Sequence, residues 1–411
     1  MEGRILFFTC AAHALTHVYM VIYSVVLGRM SEDFGTDVTD FCAISTVLFG
    51  LGALPASWLG EKLGEKTLLV AFFFLTALGG AVVGTAQTLT QLAIGMALLG
   101  LGTSIFHPVG NTLIAKGIRS PGKAMGTNGM WGSHGEAVGP LLAGLLAWGF
   151  GSWRSSYLAL TLPTILLGAW LWATRMELAR PEPTKAVERN GERPLLVIAL
   201  LLAAMMCGGF QFWIVKTVLP DHIGQRTSAE LLPTTLQENP VYLGAALSSL
   251  MYFVGGFGQM AAGKLVHTRE GRGLYAVIFL VSIPLLLLTG ALAGVPLVAS
   301  GCIMTFLLFS AQPVENVLLA RWAPPAWKGL LFGLKFTLAF GVGGLGLSIA
   351  KRVREAHGLG ATFTAASVFT LAALLCALAA RALRTGPKVE AVASMAGTMP
   401  DSERRRDQSI R

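Results

Sequence analysis

The chain has 411 residues, of which 54% are hydrophobic and 13% charged, with a mean hydropathy of +0.63. A soluble fold of this length carries roughly 25% charged residues to coat its surface, so a water-soluble globular protein is excluded. The formal net charge of +9 gathers in alternate loops and in the tail, which is a membrane-orientation signal and not a nucleic-acid-binding patch.

Apolar residues come in long blocks. Leu68 to Ala86, Gly273 to Gly294 and Ala361 to Ala380 lack any charged residue, and each can cross a hydrocarbon core of ~30 Å as a helix. In chain order, spans are expected at 5–28, 41–61, 67–87, 90–115, 124–149 and 153–174, then at 195–220, 241–265, 273–294, 297–320, 329–350 and 358–383. The first block starts almost at Met1, but it carries His13 and His17 and ends in no small-residue cleavage site, so it reads as a span and not a signal peptide. Arg175 to Arg193 is rich in Pro, Glu and Arg and reads as a linker. The expected fold is an all-α membrane protein of about twelve transmembrane helices in two pseudo-symmetric six-helix bundles. The bundles are placed at 1–174 and 195–385, with a cytoplasmic linker at 175–194 and a disordered cytoplasmic tail at 386–411. The five cysteines stand singly, without metal or disulfide spacing, and read as small apolar residues.

Lys62, Lys66, Lys116, Arg119, Lys123, Lys264, Arg269, Arg272, Arg321 and Lys328 fall in one set of loops, which places both termini in the cytoplasm. The cluster Lys351, Arg352 and Arg354 falls on the opposite side. An internal repeat runs through the chain: His107-Pro-Val-Gly-Asn-Thr-Leu-Ile-Ala-Lys116 aligns without gaps on Gln312-Pro-Val-Glu-Asn-Val-Leu-Leu-Ala-Arg321, so Asn111 maps onto Asn316 at a shift of 205 residues. The same shift carries Lys123 onto Lys328 and Gly139 onto Gly344, and a nearly equal one carries Gly52 and Ser57 onto Gly258 and Gly263. Such parallel repeats make halves related about an axis along the membrane normal.

An ionisable side chain within a bilayer costs at least ~2.5–3.5 kcal/mol, so it faces a cavity or a partner. The first helix of each triplet carries most of them here and the third carries none mid-span. His13, His17, Tyr19, His107, Asn111, Gln211, Trp213, Gln312 and Asn316 are the expected substrate-facing residues. His13 and His17 lie one helical turn apart and face the same way. Glu136 and Glu315 are the mid-span carboxylates and, with His134, the candidates for carrying a coupling proton. Lys216 and Lys335 either attract an anionic substrate or neutralise those carboxylates. Pro108 and Pro140 each release a backbone carbonyl one turn earlier and permit bending. Gly135 and Gly139 permit close helix contact.

Gly126, Gly135, Gly139, Pro140 and Gly144 match the antiporter motif of helix 5 in the major facilitator superfamily, with Ala143 in place of one glycine. Ser57-Trp-Leu-Gly-Glu-Lys-Leu-Gly-Glu-Lys66 resembles the signature loop of that superfamily, with Glu61 where aspartate is usual and Glu65 where arginine is usual. His267 occupies the acidic position of the equivalent loop. Met96 stands where proton-coupled drug exporters often carry arginine. Gly100 to Pro108, together with His13, resembles the fosmidomycin-resistance branch, although Val109 and His17 replace two acidic residues of that pattern. The resemblance implies a proton-coupled exporter, with Glu61, Gly135, Gly139 and Pro140 in gating or structural roles, and the buried charge of Lys335 and the kink at Pro108 are expected to serve the same roles as two halves rock.

No nucleotide-binding loop and no HExxH pattern occurs, so neither ATP hydrolysis nor a metalloenzyme is expected, and no cofactor or resident metal. The expected partners are a small-molecule substrate, protons and the lipid bilayer of a bacterial inner membrane, with the chain acting as a monomer. Two other readings are a divalent metal exporter using the intramembrane histidines and a non-transporting membrane sensor.

Overall fold

A computed structural model describes residues 1–176, 194–227, 240–324 and 327–383. The expected tail at 386–411, and all but the ends of the expected linker at 175–194, lie outside them. Among the described residues there are twelve long helices and no strand. The first six are α1 (Glu2–Phe34), α2 (Phe41–Leu63), α3 (Glu65–Gly84), α4 (Leu89–Gly117), α5 (Pro121–Gly149) and α6 (Ser155–Ala173). The second six are α7 (Pro194–Arg226), α8 (Pro240–Thr268), α9 (Gly271–Ala291), α10 (Gly294–Trp322), α11 (Lys328–His357) and α12 (Leu359–Ala382).

Two helices outrun their apolar blocks. α1 continues beyond 28 and ends at Gly35, whose φ of 64° closes the helix in the left-handed conformation. Its last turns are held by polar contacts, with Asp33 paired to Arg154 at 2.5 Å and accepting from the Trp153 indole at 2.8 Å. α7 runs through Pro220 to Arg226, whose guanidinium reaches the carbonyl of Ala291 at 3.1 Å. Hydropathy reads only the lipid-embedded part of such helices.

α11 also departs from the uninterrupted span expected at 329–350. Its α-helix gives way to a π-helical turn over Thr337–Val342 and a 3-10 turn over Gly343–Leu345, then resumes. Gly341, Gly343, Gly344 and Gly346 weaken the regular helix here. Gly50 of α2 lies so close that a Cβ on it would stand 2.7 Å from the Cα of Gly341.

Ten of the helices are long and apolar enough to cross a membrane; α5 and α8 are not among them. In α5 the cause is a stripe of Gly122, Gly126, Gly129, Gly132, Gly135 and Gly139 broken by Asn128, His134 and Glu136. Lipid offers no hydrophobic drive for helices to associate, so backbone proximity and van der Waals contact hold such a bundle together. The N-terminal part of the stripe meets α8, with an added Cβ on Gly126 falling 2.9 Å from the Cα of Gly263. The C-terminal part meets α1, where Gly135 abuts Ala14 and Gly139 abuts Val18 and Val21. The outer faces of α3, α6, α9 and α12, the helices without mid-span ionisable residues, expose Leu78, Leu162, Leu280 and Leu375.

α1 to α6 pack among themselves, as do α7 to α12, and the halves join chiefly through α2 against α11 and α5 against α8. These two seams are repeat equivalents. Ser57 donates to the carbonyl of Gly329 at one; Gly263, the equivalent of Ser57, sits between Gly122 and Gly126 at the other. Both seams lie toward the face that bears the N-terminus, where Glu2 meets Arg119 at 2.8 Å and Lys116 meets Glu65 at 2.5 Å.

Candidate functional site

Three histidines come together at the centre of the first half. The i, i+4 spacing of His13 and His17 puts both rings on one face of α1, with their Nε2 atoms 3.2 Å apart. His107 enters from α4, its ring centroid 4.9 Å from that of His13. One nitrogen from each of the three rings lies within 4.8 Å of the others; His13 and His107 are buried and His17 is slightly exposed. The Nδ1–H of His13 donates to the backbone carbonyl of Asn128 at 2.8 Å and to its side-chain oxygen at 3.0 Å. A carbonyl can only accept, so His13 carries its proton on Nδ1 and presents a lone pair at Nε2.

Glu136 lies beside this cluster, its Oε2 3.8 Å from Nδ1 of His17. Its Oε1 forms an ion pair with Lys216 of α7. Among the described residues this is the ion pair that joins the two halves. Lys216 is also flanked by Phe212 and Trp213, at 5.5 and 5.4 Å from its Nζ to the ring centroids.

A second buried network occupies the other half. Lys335 of α11 has a side chain only 2% exposed, and its ammonium lies 3.1 Å from Glu315 and donates to Asn316 at 2.5 Å. Tyr275 donates to Glu315 at 2.8 Å. Asn316 donates in turn to Asn111 of α4 at 3.3 Å, and Asn111 donates to the carbonyl of His107 at 2.8 Å. A polar chain therefore runs from Tyr275 through the axis to the histidine cluster. Both lysines neutralise the mid-span carboxylates, one of the two roles the sequence leaves open.

The centre is not an open polar cavity. Phe49, Phe336 and Phe340 close around His107, with Phe336 stacked on its ring at 4.7 Å between centroids. Two voids remain beside this plug. One, of about 50 Å³, is lined by Gln211, Gln312, Glu315 and Lys335 together with Phe212, Phe279 and Phe340. The other, of about 20 Å³, lies within the first half between Tyr19, Tyr23, Phe49 and Met96. Drug-sized ligands need ~300 Å³ or more, so the described state is contracted at its centre.

The other expected site residues spread out. Tyr19 points into the first half and meets the Thr164 hydroxyl at 3.3 Å. His134 lies apart from the other histidines, stacked on Phe253 of α8 at 4.2 Å. Gln211 and Trp213 are buried with no protein partner for Nε2 and Nε1. Pro108 and Pro140 lie inside α4 and α5. Glu61 accepts from the backbone N–H of Leu330 at 3.2 Å, at the start of α11. His267, its equivalent, accepts from the N–H of Lys123 at 3.3 Å, at the start of α5. The two loops thus cap the N-termini of the opposite half's helices despite their altered residues. Asn128, a polar residue of the fifth expected span, also completes the site, as do Gly132 and Tyr275, which carry no distinguishing sequence signal.

The sequence model of the Major Facilitator Superfamily matches residues 8–347. An uncharacterised MFS-type transporter of Mycobacterium tuberculosis is 28% identical over 258 residues, covering 57% of this chain and 36% of that protein. A protein of Pectobacterium atrosepticum provisionally named multidrug resistance protein MdtD is 32% identical over 129 residues, covering 31% of this chain and 27% of that protein. The chain therefore matches at most 36% of the length of these relatives. Among solved structures, the human organic anion transporter MFSD10 (TETRAN) has a TM-score of 0.72 at 16% identity, covering 92% of this chain and 99% of that one. The transporter FucP in the outward conformation has a TM-score of 0.70 at 13% identity, covering 91% of this chain and 98% of that one. At these identities the likeness is one of fold.

Proposed function

The chain belongs to the Major Facilitator Superfamily, and on that premise we propose that it is a secondary transporter exporting a small organic solute against inward proton flow, by rocking of its two halves. The observation that carries this reading is the void whose wall holds Glu315, Lys335, Gln211 and Gln312. It puts a carboxylate, its counter-cation and two amides on one surface. Protonating Glu315 leaves the Lys335 ammonium free to hold an acceptor group of a substrate. Losing that proton restores the ion pair and displaces the substrate, which is the competition that antiport needs.

The contacts between halves support the rocking part. The α2–α11 and α5–α8 seams toward the terminus-bearing face correspond to a state closed at that end. We assign this face to the cytoplasm of a bacterial inner membrane, because most loop lysines and arginines lie there. The multidrug-resistance name of one relative supports the direction of export.

The test uses purified protein in liposomes with a pH-sensitive dye trapped inside. A proton gradient is imposed, and phosphonates, organic anions and amphipathic drugs are added in turn. Substrate-dependent proton movement in the wild type, abolished in Glu315→Gln, is the expected result. Uptake of a labelled compound without any proton signal would sink antiport and leave a uniporter; a Glu315→Gln variant matching wild type would remove Glu315 as the carrier.

A further inference from the structure

We propose that His13, His17 and His107 form a binding site for a divalent late first-row transition-metal ion of the Zn²⁺ type. The inference does not rest on the transport reading, because it concerns equilibrium binding within one half.

Three imidazoles at the core of an apolar bundle have the nitrogen ligands such ions favour. Their spacing fits. Two nitrogens bound tetrahedrally at ~2.0–2.1 Å stand about 3.4 Å apart, and Nε2 of His13 and Nε2 of His17 are 3.2 Å apart. One nitrogen of His107 lies within 4.8 Å of one nitrogen on each of the other two rings, so completing that geometry asks the cluster to draw together by at most roughly 1.4 Å. His107 also has its Nε2 buried without a protein partner, a cost that a bound ion removes.

The outer shell is in place as well. His13 is fixed through Nδ1 by the two oxygens of Asn128, which sets its tautomer and points Nε2 inward. In the metal-free protein His17 must donate from Nε2 to the lone pair on Nε2 of His13. Nδ1 of His17 has no hydrogen bond and faces Glu136 at 3.8 Å. On metal binding its proton moves from Nε2 to Nδ1, from which it can donate to Glu136 once the 3.8 Å gap closes, and Nε2 is freed for the ion. Both residues of α1 then have the arrangement of an oxygen acceptor, an imidazole and a metal that tunes metal ligands generally. The nearby cations do not oppose binding outright, since Lys216 is paired with Glu136 and Lys335 with Glu315. His17, with its side chain 12% exposed, gives the ion a way in.

The experiment titrates metal-stripped, full-length protein in detergent with Co²⁺, following the visible absorption and the thermal unfolding temperature. We expect an intense low-symmetry Co²⁺ spectrum that saturates at about one ion per chain, is erased by Zn²⁺, and accompanies a rise in unfolding temperature. His107→Gln and His17→Gln, each folded by size-exclusion chromatography and metal-free melting, should bind more than about 100-fold more weakly. His357→Gln, at an exposed helix end, should bind as wild type. A weak octahedral spectrum shared by all variants, which is adventitious surface binding, would overturn the proposal. So would undiminished binding in the two folded cluster variants.

Discussion

Asn111 and Asn316, which the internal repeat makes equivalent, meet side chain to side chain across the axis between the halves, with Nδ2 of Asn316 3.3 Å from Oδ1 of Asn111. Each is also tied into its own half, Asn111 to the carbonyl of His107 and Asn316 to the Lys335 ammonium. A duplicated residue thus serves as the joint between the two polar networks.

Replacing that joint should be costly in a defined way. Asn316→Leu leaves Oδ1 of Asn111 and one donor of Lys335 unpaired in a buried site, so the loss should be about 1–3 kcal/mol. Asn111→Leu alone should cost less, because it leaves the Lys335 contact intact. Detergent unfolding curves for the two variants check the order.

The Glu315–Lys335 pair makes a sharper stability prediction. Lys335→Met leaves a buried carboxylate with Tyr275 as its remaining partner, which should destabilise by about 3–5 kcal/mol. Combining it with Glu315→Leu should recover most of that loss, because replacing a whole buried pair by apolar residues is often close to neutral. Double-mutant unfolding that stays additive would show that the two groups are not coupled.

Glu61 predicts a shift in conformation instead of stability. Its carboxylate accepts from the Leu330 N–H in the first turn of α11, where a negative charge contributes about 0.3–1 kcal/mol. Glu61→Ala should therefore raise the population open at the terminus-bearing face by up to about fivefold. Distances between spin labels at Lys62 and Lys328 measure this directly.

Gly132 tests how closely α5 holds the histidine cluster. A Cβ there would fall 2.5 and 2.6 Å from ring atoms of His13, so Gly132→Ala must push the ring off Asn128. We expect Co²⁺ binding to weaken by at least about tenfold. Gly144→Ala, whose Cβ meets nothing closer than 4.0 Å, should leave binding unchanged.

Much of this architecture is legible in the sequence. Apolar run length marks most of the helices, and the 205-residue repeat names the equivalent positions. The cost of ionisable groups in lipid marks His13, His17, His107, Glu136, Glu315 and Lys335 as the residues to follow. What the sequence lacks is the rotation of each helix about its own axis. In water an amphipathic face would reveal it, but here the outside is as apolar as the inside, and rotation is set by van der Waals fit and hydrogen bonding between helices. Only the tertiary structure could decide that Lys216 pairs with Glu136 and Lys335 with Glu315. The same holds for His134 leaving the other histidines for Phe253, and for the phenylalanines that fill the centre. Composition and repeat determined which residues lie in the membrane; the close approach permitted by glycines such as Gly132 and Gly135 decided which of them touch.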